Sequence, residues 1–398
     1  MTLNIHSIRK LLNHDVIKPS SGQHWDLLDG LRGLAILMVV ACHGFYANPD
    51  GPKALKLVGD FIGAGAIGVQ MFFVLSGFLI SYPILKAKSE NPDTWYLSGY
   101  VTRRFLKIFP PFLLCIVLLS LTYRYFDGSF ERTRIGLQWL VGIPHYFYVA
   151  DARNFNGSFW SLWVEIGFYV VLPVSFFILR RQANVISTAC IIAALLFGGS
   201  TLSSFLTWPT QESPGEFMLF IIGRFPNGLS NFAWGVLFSA LFISKRKDST
   251  GSKSFARFGY LGLVVLLSAL LWQLWASQHS QSAHWYAHAI KQLLADVATF
   301  LLLFFIFDRQ ALGTRIFSAP WLNYLGVISY EWFLLHQPII LLFRRHSESA
   351  GGSLAKYLYI TLTPVLLTLV VAILIYHFFS APIIEWGRKR TATKSGKV

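Results

Sequence analysis

The chain has 398 residues, of which 54% are apolar and only 13% charged, and it carries a formal net charge of +15. A soluble domain has roughly 25% charged residues, so the deficit, with a mean hydropathy of +0.51, excludes an ordinary water-soluble enzyme and points to a chain that meets lipid. The 34 Lys and Arg lie in short clusters between apolar runs rather than along one helical face, so the positive charge reads as membrane topology and not as a nucleic-acid surface.

The first 25 residues are polar, with Asn13, His14 and Asp15 where a signal peptide would need its apolar core, so the first apolar run is expected to stay in the protein. A helix needs about 20 residues to cross a bilayer. Stretches near that length occur at 31–48, 61–85, 105–123, 158–179, 184–206, 217–243, 258–277, 288–307, 320–343 and 355–379. The expectation is an all-α, polytopic bundle of about ten transmembrane helices with both termini cytoplasmic. It forms one domain over 1–398: an N-terminal segment 1–30, a bundle 31–379 and a basic tail 380–398 attracted to anionic lipid. Charge supports this count, because 22 Lys and Arg fall in the inner segments against 9 in the outer loops. Residues 135–150, with Gly136, Gly142 and Pro144, form a shorter apolar piece that suits an interfacial or re-entrant segment; a true span there would invert everything after it. Cys42, Cys115 and Cys190 sit in apolar runs without metal-ligand spacing and read as packing residues. No repeat of 20 to 50 residues is present, and the Ser-rich inner loop Lys245 to Arg257 marks a division between two bundle halves.

In the first span, Arg32 and His43 are eleven residues apart, close to three full turns and about 16 Å along the axis, so they line one face at two depths. An ionisable group near the bilayer centre costs at least about 2.5 kcal/mol, which makes an intramembrane His a functional candidate by default. Arg32 also fits a snorkelling anchor at the inner leaflet. The second span is rich in small residues, with Gly63, Gly65, Gly68 and Gly77 suited to close helix approach. After it, Arg103, Arg104 and Lys107 form a basic group whose first and last members share a helical face. This group suits a polyphosphate or serves as a positive-inside anchor.

The most specific local string follows the long outer loop and runs from Asn156 through Ser158, Trp160 and Glu165 to Tyr169. Glu165 lies about 10 Å into that helix, too deep for free solvation, and must find a cation or hydrogen-bond donors or stay protonated; Arg224 in the sixth span is an obvious ion-pair candidate. Asn156-Gly-Ser also reads as a glycosylation acceptor. In the ninth span, Tyr330, Glu331 and His336 precede Pro338. Glu331 faces an aqueous cavity or a cation, and His336 either hydrogen-bonds backbone freed by the proline or joins the chemistry. His279, His284 and His288 lie near an outer loop, where solvent explains them without a metal.

Taken together, Arg32 with His43, Phe-Phe-Val-Leu-Ser76-Gly77-Phe-Leu-Ile, Arg103-Arg104-x-x-Lys107-Ile-x-Pro110, Ser158-x-Trp160-Ser-Leu-x-x-Glu165-x-x-Phe-Tyr169, and Gly326-x-Ile-Ser-Tyr330 followed by His336 resemble the acyltransferase-3 family over nearly the whole chain. The resemblance implies transfer of an acyl group, most often acetyl from cytoplasmic acetyl-CoA, to a hydroxyl of a cell-surface carbohydrate. It implies the stand-alone form without a fused SGNH-type esterase domain, in a bacterial cytoplasmic membrane, with the lipid bilayer, acyl-CoA, a carbohydrate acceptor and other polysaccharide-biosynthesis proteins as partners. No permanently bound cofactor and no metal are expected. Arg103, Arg104 and Lys107 would hold the CoA phosphates, Arg32 would flank the pantetheine arm, and His43 would act as general base or carry the acyl group itself. Glu165 would orient or charge-balance the site and Trp160 would pack on a sugar or acyl chain. Ser158, Arg224, Tyr330, Glu331 and His336 would support the acceptor side or the structure. Lys107 stands where the family often has a third arginine, which keeps charge and loses bidentate geometry. Asn227-Gly228 replaces a common acidic and aromatic pair. The rival readings are a transporter or flippase, which predicts inverted repeats with paired broken helices, and a structural membrane protein.

Overall fold

The computed structural model describes residues 25–46, 55–90, 99–128, 130–143, 155–182, 184–207, 216–247, 253–278, 285–308, 310–345, 347 and 353–395. Among these there are helices and no strands. In chain order the helices are α1 (Asp26–Tyr46), α2 (Lys56–Gly63), α3 (Gly68–Glu90), α4 (Tyr100–Asp127), α5 (Phe130–Leu140), α6 (Phe159–Ile178), α7 (Val185–Thr207) and α8 (Glu216–Lys247). The second half adds α9 (Lys253–Gln278), α10 (Trp285–Leu302), α11 (Leu312–Phe317), α12 (Pro320–Val327), α13 (Ser329–Arg345), α14 (Leu354–Ile375) and α15 (Ala381–Ser395). Each of the ten expected spans coincides with one helix or one broken helix. Among the described residues seven are long and apolar enough to cross a membrane, or up to eight if the bent pair α12 and α13 is one span.

The contacts give the helices alternating directions. Glycines in the 3-10 turn before α3 and at its start meet α1 in antiparallel order, since a Cβ at Gly65 would fall on the Met38 carbonyl and one at Gly68 on that of Ala35. Lipid is as apolar as a leucine surface, so such close backbone approach takes the place of a hydrophobic drive between spans. Helix α6 runs parallel to α3: Ser76 bonds Glu165 near one end, and the buried Lys88 donates to the carbonyls of Leu179 and Arg180 at the other. Helix α13 runs parallel to both α1, through Arg32 with Ser329 and His43 with His336, and α4, through Ile108 with Tyr330 and Cys115 with Leu334. Helix α4 therefore opposes α6, so the segment between them begins and ends on one side of the bundle. Helix α5 has 11 residues, about 16 Å of rise against a hydrocarbon core of about 30 Å, in keeping with a non-crossing piece; residues 144–154 lie outside the described residues. Helix α14 opposes α1, with Phe45 against Tyr357 at one level and Ile36 and Val40 clustered with Ala372 at another, which places the start of α1 and the end of α14 on the same side.

Two boundaries differ from expectation. The bundle begins at Asp26 rather than 31, with Trp25 packed edge-on against Phe78, Tyr82 and Phe242. It does not end at 379, because a single π-helical turn, Tyr376–Ser380, joins α14 to α15 without a break. Breaks occur instead at Ala64–Ile67, a 3-10 turn inside the second span, and at Ile328, where α12 and α13 meet at 70°. Leu113, Val117 and Leu121, and likewise Leu366, Val370 and Leu374, form exposed stripes at four-residue spacing, the outward apolar face of a helix in lipid. Inside, Phe168 stacks on Phe232 at 4.1 Å and Phe232 on Phe73 at 4.9 Å, joining α3, α6 and α8. Cys42 and Cys115 are buried as expected of packing residues, whereas Cys190 is exposed on α7.

Candidate functional site

Helix α1 carries the site through the middle of the bundle because its glycines let α12 and the end of α11 come close. A Cβ at Gly30 or Gly33 would strike the carbonyls of Phe317 and Leu322, and one at Gly326 that of Asp29. With α12 seated so tightly, the bend at Ile328 aims the first turn of α13 at Arg32. The Arg32 Nη2 donates to Ser329 Oγ at 3.1 Å, and the guanidinium carbon lies 5.8 Å from the Phe72 ring. Arg32 Nε is buried without a hydrogen-bond partner. Three turns farther along the same face, His43 Nδ1 lies 2.8 Å from His336 Nε2.

His336 is fully buried, and its Nδ1 lies 2.8 Å from the Phe333 carbonyl and 3.3 Å from that of Trp332. Several contacts set its register. Pro338 has no N–H, so the Leu334 carbonyl loses its helical partner; Asn156 Nδ2 donates to it at 2.8 Å and the Cys115 thiol at 3.4 Å. On the other side the Trp332 indole donates to Thr368 Oγ1 at 2.9 Å. Asn156 Oδ1 in turn accepts from the backbone N–H and hydroxyl of Ser158, which satisfies free groups at the start of α6. Asn156 is 1% exposed, and its amide is committed on both sides. The glycosylation reading of this tripeptide is thereby overturned, and Ser158 is a helix-end support.

Glu165 is stabilised by hydroxyls: Tyr169 OH donates to Oε1 at 2.6 Å and Ser76 Oγ at 3.0 Å. Arg104 lies over the rings of Tyr169 and Tyr100, 5.5 and 5.9 Å from their centroids, and the Tyr100 hydroxyl bonds the Tyr169 carbonyl. Lys107 is within electrostatic reach of Arg32, Arg104, Glu165 and Asp29. Glu331, 3% exposed, feels Lys107 and Arg32, and its Oε2 has no hydrogen-bond partner. Ser380 of the π turn is beside that carboxyl, but its hydroxyl does not reach bonding geometry.

The fold thus brings Arg32, Arg104, Lys107, Glu165 and Glu331 into one polar zone and places His43 with His336 beyond it. Of the basic trio, Arg104 and Lys107 are half-buried and Arg103 is exposed, so the inward pair is not the 103 and 107 pair that shared a face on paper. Tyr330 serves α4, donating to the Ile108 carbonyl at 2.9 Å. Trp160 packs edge-on against Phe73, with centroids 6.2 Å apart. The side chain of Arg224 lies outside the described residues, as do those of His279, His284 and His288.

Sequence reading passed over three elements. Tyr169 and Ser76 hold Glu165; the i, i+4 spacing from Glu165 to Tyr169 was a usable signal, whereas Ser76 carried none. Asn231 Nδ2 donates to the buried Asp296 at 2.7 Å, and a lone Asp in an apolar run was legible. The π turn, with Tyr324 OH 2.9 Å from His377 Nε2, had no local signature, although such turns are frequent near functional sites.

The profile of a family described as "Acyltransferase domain" matches residues 25–377. Among similar proteins, the O-acetyltransferase OatA of Staphylococcus aureus is 24% identical over 382 residues, covering 92% of this chain and 58% of the relative. The peptidoglycan O-acetyltransferase OatA of Listeria monocytogenes is 22% identical over 380 residues, covering 90% and 56%. The chain spans about three fifths of the length of the curated relatives it matches. No solved structure matches it.

Proposed function

The chain belongs to the acyltransferase-3 family, and from that premise we propose that it is a membrane O-acetyltransferase that moves acetyl from cytoplasmic acetyl-CoA to a hydroxyl of a cell-wall or cell-surface carbohydrate. The observation that carries this reading is the pairing on α1 of Arg32, beside Arg104 and Lys107 in electrostatic reach, with His43 about 16 Å farther along the same helix. A nucleotide donor carrying several phosphates is matched by the cations, and Arg103 adds charge at the surface. Crowded cations in a medium of low dielectric repel one another, so an anionic donor relieves them while it binds. The buried Arg32 Nε donor and Glu331 Oε2 acceptor, both without partners, are polar groups of the kind a bound amide-containing arm satisfies.

At the far end His43 accepts the proton of the acceptor hydroxyl as its oxygen attacks the thioester carbon. Glu165, held by Tyr169 and Ser76, balances the cations beside the donor. The relatives' names specify O-acetyl transfer, and in one case peptidoglycan as acceptor, which favours a wall or surface glycan here and a bacterial cytoplasmic membrane as the location, with the start of α1 and the end of α14 facing the cytoplasm.

Mass spectrometry of surface glycans from cells with and without the gene is expected to differ by one acetyl group per modified residue. Membranes containing folded His43→Ala should lose at least about a hundredfold in acetyl transfer, and a folded variant that still acetylates refutes the role of His43. Solute movement without consumption of acetyl-CoA would favour a transporter instead; the 70° bend between α12 and α13 is the kind of broken helix that class uses.

A further inference from the structure

Resting on the reading of His43 as the group that takes the acceptor proton, we propose that His336 is a positioning residue that fixes the tautomer of His43, keeping Nδ1 protonated and Nε2 as its bare nitrogen. A neutral imidazole has one N–H and one lone pair. Around His336 Nδ1 stand two carbonyl oxygens, Phe333 at 2.8 Å and Trp332 at 3.3 Å. Carbonyls only accept, so Nδ1 carries the hydrogen. A buried imidazolium needs an anion beside it, and the hydrogen-bond partners of this ring are two carbonyls and a second imidazole. His336 is therefore neutral and its Nε2 is a lone pair. His43 Nδ1, 2.8 Å away, must donate to that lone pair, which leaves His43 Nε2 to accept.

Fixing a tautomer is ordinarily done by a carboxylate or a backbone carbonyl on the second nitrogen. Here two carbonyls act at one remove, through a neutral ring, alongside the Val39 carbonyl one turn back on the His43 helix, and no additional charge has to be buried in the membrane. The arrangement also closes one proton route. His336 Nδ1–H is already directed at backbone oxygens, so a proton accepted at His43 Nε2 has no onward path through the pair. It must leave from the same nitrogen to the departing thiolate. The acceptor O–H bond and the C–S bond break, the O–C and S–H bonds form, and the histidines end as they began. His43 keeps part of its surface accessible whereas His336 keeps none, in keeping with one ring that meets substrate and one that does not. The register of the second ring is held by Asn156 and Cys115 on Leu334 and by Thr368 on Trp332.

The test is the nitrogen-15 spectrum of histidine-labelled full-length protein in nanodiscs, with the His43 signals identified by their loss in His43→Asn. The expected result is a protonated Nδ1 and a bare Nε2 on His43, replaced by a mixture of tautomers in His336→Leu, where only the Val39 carbonyl, already accepting the helical N–H of His43, is left beside the ring. In acetyl-transfer assays His336→Leu should lower kcat by at least about tenfold with the KM for acetyl-CoA unchanged, and His336→Gln, whose amide oxygen can accept, should recover part of the loss. A wild-type His43 protonated at Nε2, or a folded His336→Leu with unaltered kcat, overturns the proposal. If neither variant at 336 folds, the wild-type spectrum decides alone. That spectrum is read without substrate, so failure of wild-type membranes to use acetyl-CoA would refute acetyl transfer while leaving the tautomer assignment standing or falling on its own result.

Discussion

Replacing Tyr169 by Phe removes the shorter of the two hydroxyl donors on Glu165 Oε1, the one at 2.6 Å, and leaves Ser76 at 3.0 Å. A hydrogen bond to a charged group contributes about 1.5–3 kcal/mol, and short O–H···O⁻ contacts are the stronger kind. Tyr169→Phe should therefore cost more than Ser76→Ala, and both should lower acetyl transfer by letting the carboxylate swing away from Arg104 and Lys107. At 1.4 kcal/mol per factor of ten, the loss for Tyr169→Phe corresponds to roughly tenfold to a hundredfold in kcat/KM for acetyl-CoA. Glu165→Gln is the control, because its amide oxygen still accepts both hydroxyls and should preserve folding while removing the charge. The assay is donor titration in proteoliposomes, with thermal unfolding followed in parallel. Wild-type kcat/KM in Tyr169→Phe, together with an unchanged unfolding temperature, would refute the reasoning, since the 2.6 Å contact would then contribute nothing to either position or stability.

Three further outcomes follow from the packing. Asn156→Ala leaves the Leu334 carbonyl without its amide donor and the start of α6 without its acceptor, and should destabilise the protein by about 1–3 kcal/mol in thermal unfolding, with or without a glycosylation system in the host. Gly77→Ala drives a Cβ onto the Phe232 carbonyl, whereas Gly198 has nothing within 4 Å; the first should lower stability by about 1–3 kcal/mol and Gly198→Ala should leave it unchanged or slightly raised. Asn231→Leu strips the donor from Asp296 and should reduce the yield of folded protein, and adding Asp296→Asn should recover it, because an uncharged amide costs less to bury than a carboxylate.

The helical fold was open to reading because each span must satisfy its own backbone in lipid and so carries its own apolar run. Ten runs became ten helices or broken helices, with the first beginning five residues early at Asp26 and the last carried on through the π turn into α15. The relation between Arg32 and His43 was equally accessible, since height and azimuth along a single helix follow from its period. The depth of Glu165 was legible for the same reason, but the identity of its partners was not. Hydroxyls from Tyr169 and Ser76 bond its Oε1, while the side chain of Arg224, the expected ion-pair partner, lies outside the described residues. Arg104 rather than Arg103 joins Lys107 because the tyrosine rings of α4 and α6 hold its guanidinium inward.

His336 marks the boundary most clearly. Its sequence context, a histidine two residues before a proline, announces a kinked helix with backbone to satisfy, but the carbonyl that Pro338 frees is taken by Asn156 and Cys115, from 178 and 219 residues away. The imidazole is left free to meet His43 across a separation of 293 residues. Local periodicity and the cost of burying charge in lipid were sufficient to determine the class of fold, the face on which Arg32 and His43 lie, and the residues whose burial demands an explanation. Which of those residues meet was decided by tertiary structure alone, through glycine contacts that set the distance from α1 to α12 and α3 and a 70° bend that aims α13, because helix neighbours are chosen by surface fit between segments distant in the chain and leave no trace in the period of either.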